Sequence, residues 1–402
     1  MKINDVIQAD SKYKTSVHGI ITQFAILGIP IITIPYIISV VGIEKYGLFM
    51  FYQATMSVLS VIVHFGFYQS GVRDVAKCKT IRRLNYEFGT IFFAKIFTTI
   101  IALLIALLFL SVDKYQEEPL LYLFSFTLLL SFSFDLTFVF QGIEKLRILM
   151  YLTLTANLVF LALIFILLQS MEDFIWLPVI YFIPKILTSF FAFIFLKSKY
   201  AIYPVRVGFV SIVRKLTANL KFFYTNVLVI LYTKMIMVIL GFTGGSVAVG
   251  YFSVAEQLVT AYMMLQGKIA ASFHPQIVRA FGLSIYDGIK KAKEGLLAIL
   301  IFALSGFYFI LFFSTEILTF FLKKEAVNVE NTLQLLSINF VLMGISSLIS
   351  IHIFLTLKKE QYLLQSSSIA APLGISLAYL LTSYFSYFGA SLTYVSVEIV
   401  VT

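Results

Sequence analysis

Long apolar segments alternate with short polar segments along the whole chain. Most of the apolar segments approach or exceed about 20 residues, the length that a helix needs to cross a bilayer. The pattern predicts an all-α polytopic membrane protein with about twelve transmembrane helices. The predicted helices cover residues 15–41, 46–68, 88–112, 120–141, 148–169, 174–196, 222–241, 248–273, 296–314, 333–357, 362–383 and 389–402. The last of them is short for a complete crossing.

The amino-acid composition supports this fold class. Hydrophobic residues make up 60% and charged residues 12% of the 402 residues, whereas soluble domains contain about 45–50% and about 25%. A soluble globular protein is therefore excluded. One cysteine and four histidines supply no ligand cluster for a metal ion, and we expect neither a metal nor another bound cofactor.

The positive charges follow the predicted topology. If the N-terminus is cytoplasmic, the cytoplasmic segments carry 22 Lys and Arg residues. The outer loops then carry four, which are Lys45, Lys114, Lys323 and Lys324. This asymmetry predicts a cytoplasmic N-terminus, because basic residues are retained on that side. It also accounts for most of the net charge of +10, so a nucleic-acid partner is not expected.

The predicted helices divide into two groups of six. We expect an N-terminal lobe at 1–196, a basic cytoplasmic hinge at 197–221 and a C-terminal lobe at 222–402. Tyr46–Gln53 aligns with Val249–Glu256, and each segment opens the second helix of its lobe. An even number of crossings separates the copies, which predicts parallel repeats with a substrate pathway between them.

Charged residues inside the predicted helices indicate a polar lumen. An ionised side chain in mid-bilayer costs about 2.5–3.5 kcal/mol, so the charges that persist there are expected to face a cavity or each other. Lys185, which follows Pro184 at the middle of the sixth helix, has no evident partner. The positive residues exceed the negative ones, and this favours an anionic ligand. The six positions are Lys95, Asp135, Lys185, Lys234, Glu256 and Lys268.

Five of these six positions have a structural alternative. Lys95 and Asp135 lie at similar depths on consecutive helices and could form an ion pair, as could Lys234 and Glu256. Lys268 lies close enough to the end of its helix to extend its ammonium to the interface.

Uncharged polar residues in the helices are candidates for sugar contacts. The candidates are Gln23, Gln53 and His64. The alternative is hydrogen bonding between helices, which is the usual role of polar side chains in membranes.

Three motifs link the chain to a known family. Phe138–Lys145 contains the pattern F-Q-G-x-E-K, and Val41–Gly47 contains V-G-x-x-x-Y-G. Val249–Glu256 is similar to the pattern V-G-x-Y-S-x-A, with Phe252 at the tyrosine position. The chain resembles the polysaccharide transporters of the multidrug/oligosaccharidyl-lipid/polysaccharide exporter superfamily, most closely the Wzx-type O-antigen repeat-unit flippases. Asp135 and Thr137 stand where that family often has Pro and Trp.

The resemblance implies a V-shaped, two-lobed transporter of the MATE-like type. Such a protein flips undecaprenyl-diphosphate-linked O-antigen repeat units across the bacterial inner membrane by alternating access and is not an enzyme. Its expected partners are this lipid-linked oligosaccharide, membrane lipids and other polysaccharide-assembly proteins. On this interpretation Lys185 and Lys234, with Lys95 and Lys268, neutralise the diphosphate. A proton or sodium gradient could drive the cycle, and Asp135 and Glu256 are the candidates for coupling transport to the ion.

Two other functions fit the same fold class less well. A multidrug or cation antiporter would be expected to carry surplus acidic residues, whereas the predicted lumen is positively charged. A membrane-embedded polysaccharide polymerase would need a sizeable outer loop with Arg, His or Glu. The longest outer connection, 315–332, is short and contains neither Arg nor His.

Overall fold

The structure is a computed structural model that describes the backbone of residues 17–349 and 361–402. Side chains are described from Gly28 onward within these ranges, except those of Leu146, Lys324 and Leu363. The α-helices of these ranges are α1 (Val17–His64), α2 (Phe67–Ala76), α3 (Ile81–Phe109), α4 (Pro119–Ser133), α5 (Thr137–Gly142), α6 (Leu146–Leu167), α7 (Leu177–Tyr200), α8 (Phe209–Thr233), α9 (Met235–Thr243), α10 (Gly245–Leu283), α11 (Ile285–Leu322), α12 (Ala326–Ser337), α13 (Asn339–Ser347) and α14 (Gln361–Val401). Short 3-10 helices lie at Asp113–Tyr115, Met171–Trp176 and Lys323–Glu325.

The helices agree with the predicted membrane class. Within the described ranges, eight helical segments are long and apolar enough to cross a membrane. The predicted number of about twelve is not confirmed by this count. Two of the longest helices contain a backbone break, at Gly42 in α1 (φ 80°) and at Ser386 in α14 (φ 49°). Both breaks fall in loops that were predicted to separate two spans, so α1 and α14 each correspond to two predicted helices.

The chain forms two compact units. The first unit contains Met1–Val41 and Tyr52–Val227. The second unit contains Gly42–Phe51 and Leu228–Thr402. A short segment of α1 therefore belongs to the second unit, and α8 begins in the first unit and ends in the second.

The F-Q-G motif lies in the core of the first unit. Phe138 and Phe140 are buried in an apolar cluster that includes side chains of α2, α3 and α7. A Cβ atom added to Gly142 would lie 2.5 Å from Val75 Cγ1. Because protein interiors are close-packed, the glycine allows α5 to lie directly against α2.

The predicted hinge at 197–221 contains the end of α7, an irregular stretch at 201–208 and the start of α8. In the first unit, Lys215 Nζ contacts Asp74 Oδ2 and Glu87 Oε2, each at 2.8 Å. The Asn85 amide hydrogen-bonds the main chain of the irregular stretch at 3.0 and 3.1 Å. These contacts attach the connection to α2 and α3.

The two glycine motifs meet inside the second unit. A Cβ atom added to Gly47 would lie 1.8 Å from the carbonyl oxygen of Ser246, and one added to Gly250 would lie 2.6 Å from that of Ile43. The backbones of α1 and α10 are therefore in direct contact at these positions. Small residues allow such close approach between membrane helices.

Alanine substitutions at two glycines of α10 are expected to have different effects. Gly250→Ala should destabilise the protein by about 1–3 kcal/mol, because the added methyl group overlaps the backbone of α1. Gly267→Ala is the matched control, since no atom of another described helix lies within 4 Å of its added Cβ, and it should be neutral or slightly stabilising. Thermal unfolding of the purified proteins in detergent measures the difference. Equal stability of the two variants would contradict the close packing.

Candidate functional site

A cavity of about 370 Å³, lined by both apolar and polar side chains, lies inside the first unit. It is formed by α4, α6 and α7, the end of α1 and the connection between α4 and α5. We refer to it as the Lys185 cavity. Its polar lining residues are His64, Ser131, Asp135, Thr137, Thr153, Asn157, Lys185, Thr188 and Ser189.

Lys185 supplies the positive charge of this cavity. Its side chain is exposed, and Nζ lies 5.1 Å from the centroid of the Phe132 ring. Among the described residues, no carboxylate is in ion-pair contact with this ammonium group. A cation on an aromatic ring is stabilised by about 0.5–2 kcal/mol, and the ammonium remains able to bind an anion.

One face of α7 directs Lys185 towards the cavity. Pro184, Thr188 and Ala192 lie four residues apart and line the same cavity, because residues at this spacing share a face of a helix. The Thr188 hydroxyl donates to the Pro184 carbonyl at 2.9 Å, and the Ser189 hydroxyl donates to the Lys185 carbonyl at 3.0 Å. The hydroxyl oxygens can still accept hydrogen bonds from a ligand.

Asp135 and Lys95 hold the break between α4 and α5. Asp135 Oδ1 accepts a hydrogen bond from the Thr137 N–H at 3.0 Å and a second one from the Thr137 hydroxyl. Lys95 is only 3% exposed, and its Nζ donates to the main-chain carbonyl of Asp135 at 2.9 Å. The carboxylate therefore binds the start of α5, as capping residues do. Lys95 contacts the backbone of Asp135 and does not line the Lys185 cavity.

Lys234 and Glu256 form an ion pair in the second unit. Lys234 Nζ contacts Glu256 Oε1 at 2.9 Å, and Glu256 is 8% exposed. Lys234 lies between α8 and α9 and is half-buried. A carboxylate already compensates its charge, which makes Lys234 a weaker candidate for anion binding than Lys185.

The other predicted site residues are dispersed. His64 lines the Lys185 cavity, where its ring centroid lies 5.1 Å from that of Phe132. Lys268 is exposed on α10 and Gln53 is half-buried on α1, and neither lines this cavity. Gln23 lies outside the described side chains.

Several cavity residues were not singled out from the sequence. Phe132, Thr153 and Thr188 are the main examples. Isolated hydroxyl residues give a weak signal, because in helices they usually bond to the backbone of the preceding turn. The spacing of Thr153 and Asn157, four residues apart on α6, would have indicated a shared polar face.

The cavity combines the Lys185 cation with uncharged polar groups and with the Asp135 carboxylate, which accepts hydrogen bonds from Thr137. Lys185 offers a charged donor, and the hydroxyl, amide and imidazole groups offer donors and acceptors for sugar hydroxyls. Its volume of about 370 Å³ is at the lower end of the range for small-molecule sites, about 300–1,000 Å³. It fits a headgroup better than a whole oligosaccharide.

Known proteins are similar to this chain over most of its length. The sequence profile of the family described as "Polysaccharide biosynthesis protein" matches residues 14–281, which is more than half of the chain. The chain belongs to this family. A "Putative O-antigen transporter" of Escherichia coli (strain K12) is 25% identical over 380 residues, 93% of this chain and 91% of the relative. A protein of the same name from Shigella dysenteriae is 24% identical over 375 residues, 92% and 93% of the two chains.

Solved structures share the fold of this family member. An inward-facing multidrug resistance MATE family transporter of the MOP superfamily superposes with a TM-score of 0.73 at 13% identity, over 100% of this chain and 96% of the other. The lipid II flippase MurJ, in an inward closed conformation, has a TM-score of 0.73 at 12% identity, over 96% and 86% of the two chains. These similarities confirm the predicted MATE-like fold class.

Proposed function

We propose that the protein is a flippase that moves lipid-linked polysaccharide repeat units across a membrane. Two relatives that match nearly the full length are named O-antigen transporters. A lipid II flippase has the same fold. The observation that carries the proposal is Lys185, a cation of a membrane helix that lines a cavity and is in ion-pair contact with no carboxylate among the described residues. A charged residue within a membrane helix is costly, and binding of an anionic ligand explains why the lysine is present there.

The cavity suggests how the cargo is held. The Lys185 ammonium binds a phosphate oxygen of the lipid diphosphate in a charge-assisted hydrogen bond. Hydroxyl and amide groups of α6 and α7 contact the first sugar, while the rest of the glycan extends into water and the lipid tail stays in the bilayer. The protein changes between inward-open and outward-open states and makes or breaks no covalent bond.

The cellular setting is part of the same proposal. The predicted excess of Lys and Arg on one side of the membrane supports a cytoplasmic N-terminus. We infer a bacterial inner membrane, undecaprenyl diphosphate as the lipid and transport from the cytoplasmic to the periplasmic leaflet. An ion gradient supplies the energy, and other polysaccharide-assembly proteins supply and use the cargo.

Deletion of the gene tests the proposal. Complete lipid-linked repeat units should accumulate in the deletion strain and the surface polymer should be lost, while a plasmid copy should restore both. In inside-out vesicles the accumulated sugars should be open to a membrane-impermeant oxidant, and in right-side-out vesicles they should be protected. Sugars exposed on the outer face in the deletion strain would contradict a flippase. Loss of cationic dye export alone would favour an antiporter, and polymerisation by the purified protein would favour a polymerase.

A further inference from the structure

A second cavity of the first unit is formed by the end of α2 and the first turns of α3 and α8. Its volume is about 290 Å³, and it shares no lining residue with the Lys185 cavity. We refer to it as the Arg214 pocket. Its charged lining residues are Arg73, Asp74, Glu87, Arg214 and Lys215.

The Arg214 guanidinium is the uncompensated charge of this pocket. Lys215 Nζ lies 2.8 Å from both Asp74 Oδ2 and Glu87 Oε2, and Arg73 Nε lies 3.1 Å from Asp74 Oδ1. Arg214 is exposed, and no carboxylate of the described residues is in ion-pair contact with it. Three cations and two carboxylates line the pocket, and this surplus of one positive charge attracts an anion.

An exposed apolar surface borders the pocket on α8. Val210, Val213 and Leu220 are 70%, 41% and 53% exposed, and their spacing of three and seven residues places them on one face of the helix. Ser211 and Arg214 lie on the adjacent face and line the pocket. The first turns of α8 are therefore amphipathic, with a cation beside exposed apolar side chains. This combination fits a ligand that has both an anionic group and a hydrocarbon chain.

The length of α3 indicates the depth of the pocket. Its 29 residues extend over roughly 44 Å at about 1.5 Å per residue, whereas the hydrocarbon core is about 30 Å thick. More than two turns therefore lie outside the hydrocarbon. The exposed Arg82 and Arg83 of the first turn indicate that α3 extends into the headgroup region at this end. The pocket residues Tyr86 and Glu87 follow within two turns, at the level of lipid headgroups.

The charge balance distinguishes among lipid headgroups. A phosphodiester carries one negative charge, which matches the surplus charge of the pocket. A diphosphate carries at least two, and the Asp74 and Glu87 carboxylates that line the same pocket would repel it more strongly. The Tyr86 and Ser211 hydroxyls, whose oxygens are 2.8 Å apart, add neutral groups that can bond a phosphate oxygen. The pocket therefore fits a monoanionic phospholipid better than a diphosphate lipid.

We propose that the Arg214 pocket binds the phosphodiester headgroup of a monoanionic phospholipid of the surrounding leaflet. The Arg214 guanidinium donates a charge-assisted hydrogen bond to a phosphate oxygen, and an acyl chain lies along Val210 and Val213. The bound lipid joins α8 to α2 and α3, which Lys215 already connects through Asp74 and Glu87. This site does not rest on the proposed flippase function.

Lipid binding to the purified protein tests the proposal. Native mass spectrometry with phosphatidylglycerol as the probe should show a saturable site that Arg214→Ala weakens about 10-fold and that Arg214→Glu abolishes. Arg214→Lys should retain most of the affinity. Arg279→Ala, the matched control, removes an exposed arginine of α10 in the second unit and should bind like the wild type. Wild-type affinity in Arg214→Glu, or an equal loss in Arg279→Ala, would overturn the proposal.

Competition identifies the source of the phosphate group. Phosphatidylcholine lacks the net charge and glycerol 1-phosphate lacks the acyl chains, so both should displace phosphatidylglycerol at least 10-fold less effectively than a second anionic phospholipid. Equal displacement by glycerol 1-phosphate would assign a soluble ligand, and stronger displacement by undecaprenyl diphosphate would assign a cargo site. Either result would overturn the proposal.

Thermal unfolding separates a loss of binding from a loss of folding. Without added lipid, Arg214→Ala should unfold at the wild-type temperature, because its side chain is exposed. Phosphatidylglycerol should raise the unfolding temperature of the wild-type protein and of Arg279→Ala, since a ligand that binds only the folded state stabilises it. An equal rise in Arg214→Glu would contradict binding at this pocket.

Discussion

Replacement of Lys185 by Ala is expected to lower polysaccharide export roughly 10- to 100-fold at an unchanged membrane level. A hydrogen bond to a charged group contributes about 1.5–3 kcal/mol, and about 1.4 kcal/mol corresponds to a factor of ten. No other Lys or Arg lines the Lys185 cavity in the described part of the chain, so no neighbouring cation can replace the lost one. Complementation of a deletion strain, with the surface polymer quantified against protein level, measures the effect.

Two variants control this experiment. Lys185→Arg keeps the positive charge and should retain most of the activity. A small loss is expected because the planar guanidinium donates hydrogen bonds in a different geometry from the ammonium. Lys268→Ala removes an exposed lysine of α10 and should export at the wild-type rate. Full activity of Lys185→Ala would remove the role of this lysine in cargo binding, and equal losses in all three variants would indicate a general defect in folding or insertion.

The two partners of the Lys234–Glu256 ion pair are expected to differ in their effect on stability. Lys234→Ala leaves the buried Glu256 without its cation, and removal of one partner of a buried pair costs about 3–5 kcal/mol. Glu256→Ala leaves Lys234, whose side chain is 39% exposed, and water can solvate the remaining ammonium. Lys234→Ala should therefore be the more destabilising of the two. Unfolding of the purified proteins in detergent measures the order.

The double variant separates this explanation from a simple loss of packing. When both side chains are replaced by Ala, no uncompensated charge remains, so the double variant should be more stable than Lys234→Ala alone. A non-additive result of this kind is the signature of a direct interaction. A larger loss in Glu256→Ala than in Lys234→Ala, or strictly additive losses, would contradict it.

The fold follows from the sequence to a large extent because the membrane restricts the alternatives. A chain that crosses a bilayer must satisfy its backbone hydrogen bonds within each segment, so a long apolar window can only be a helix or part of a closed barrel. A break in the helical backbone is therefore expected between two spans, and the breaks at Gly42 and Ser386 do fall in predicted loops. The packing of Gly47 and Gly250 against opposite backbones was not predictable from spacing, because it depends on which helix faces lie together.

The site was predictable only in part. Lys185 was identified because a charge at the middle of an apolar helix is costly wherever it faces lipid. Depth along a helix does not determine the direction of a side chain. For this reason the sequence left open that Lys234 contacts a carboxylate while Lys95 contacts the main chain of Asp135.

Binding of undecaprenyl diphosphate to the purified protein, followed by native mass spectrometry, is the most direct measurement for the central role of the Lys185 ammonium. The wild-type protein and Lys268→Ala should bind this lipid with equal affinity, and Lys185→Arg should bind slightly more weakly. Lys185→Ala should bind about 10- to 100-fold more weakly, as expected for the loss of one charged hydrogen bond. Wild-type affinity in Lys185→Ala would contradict the assignment of the Lys185 cavity as the headgroup site.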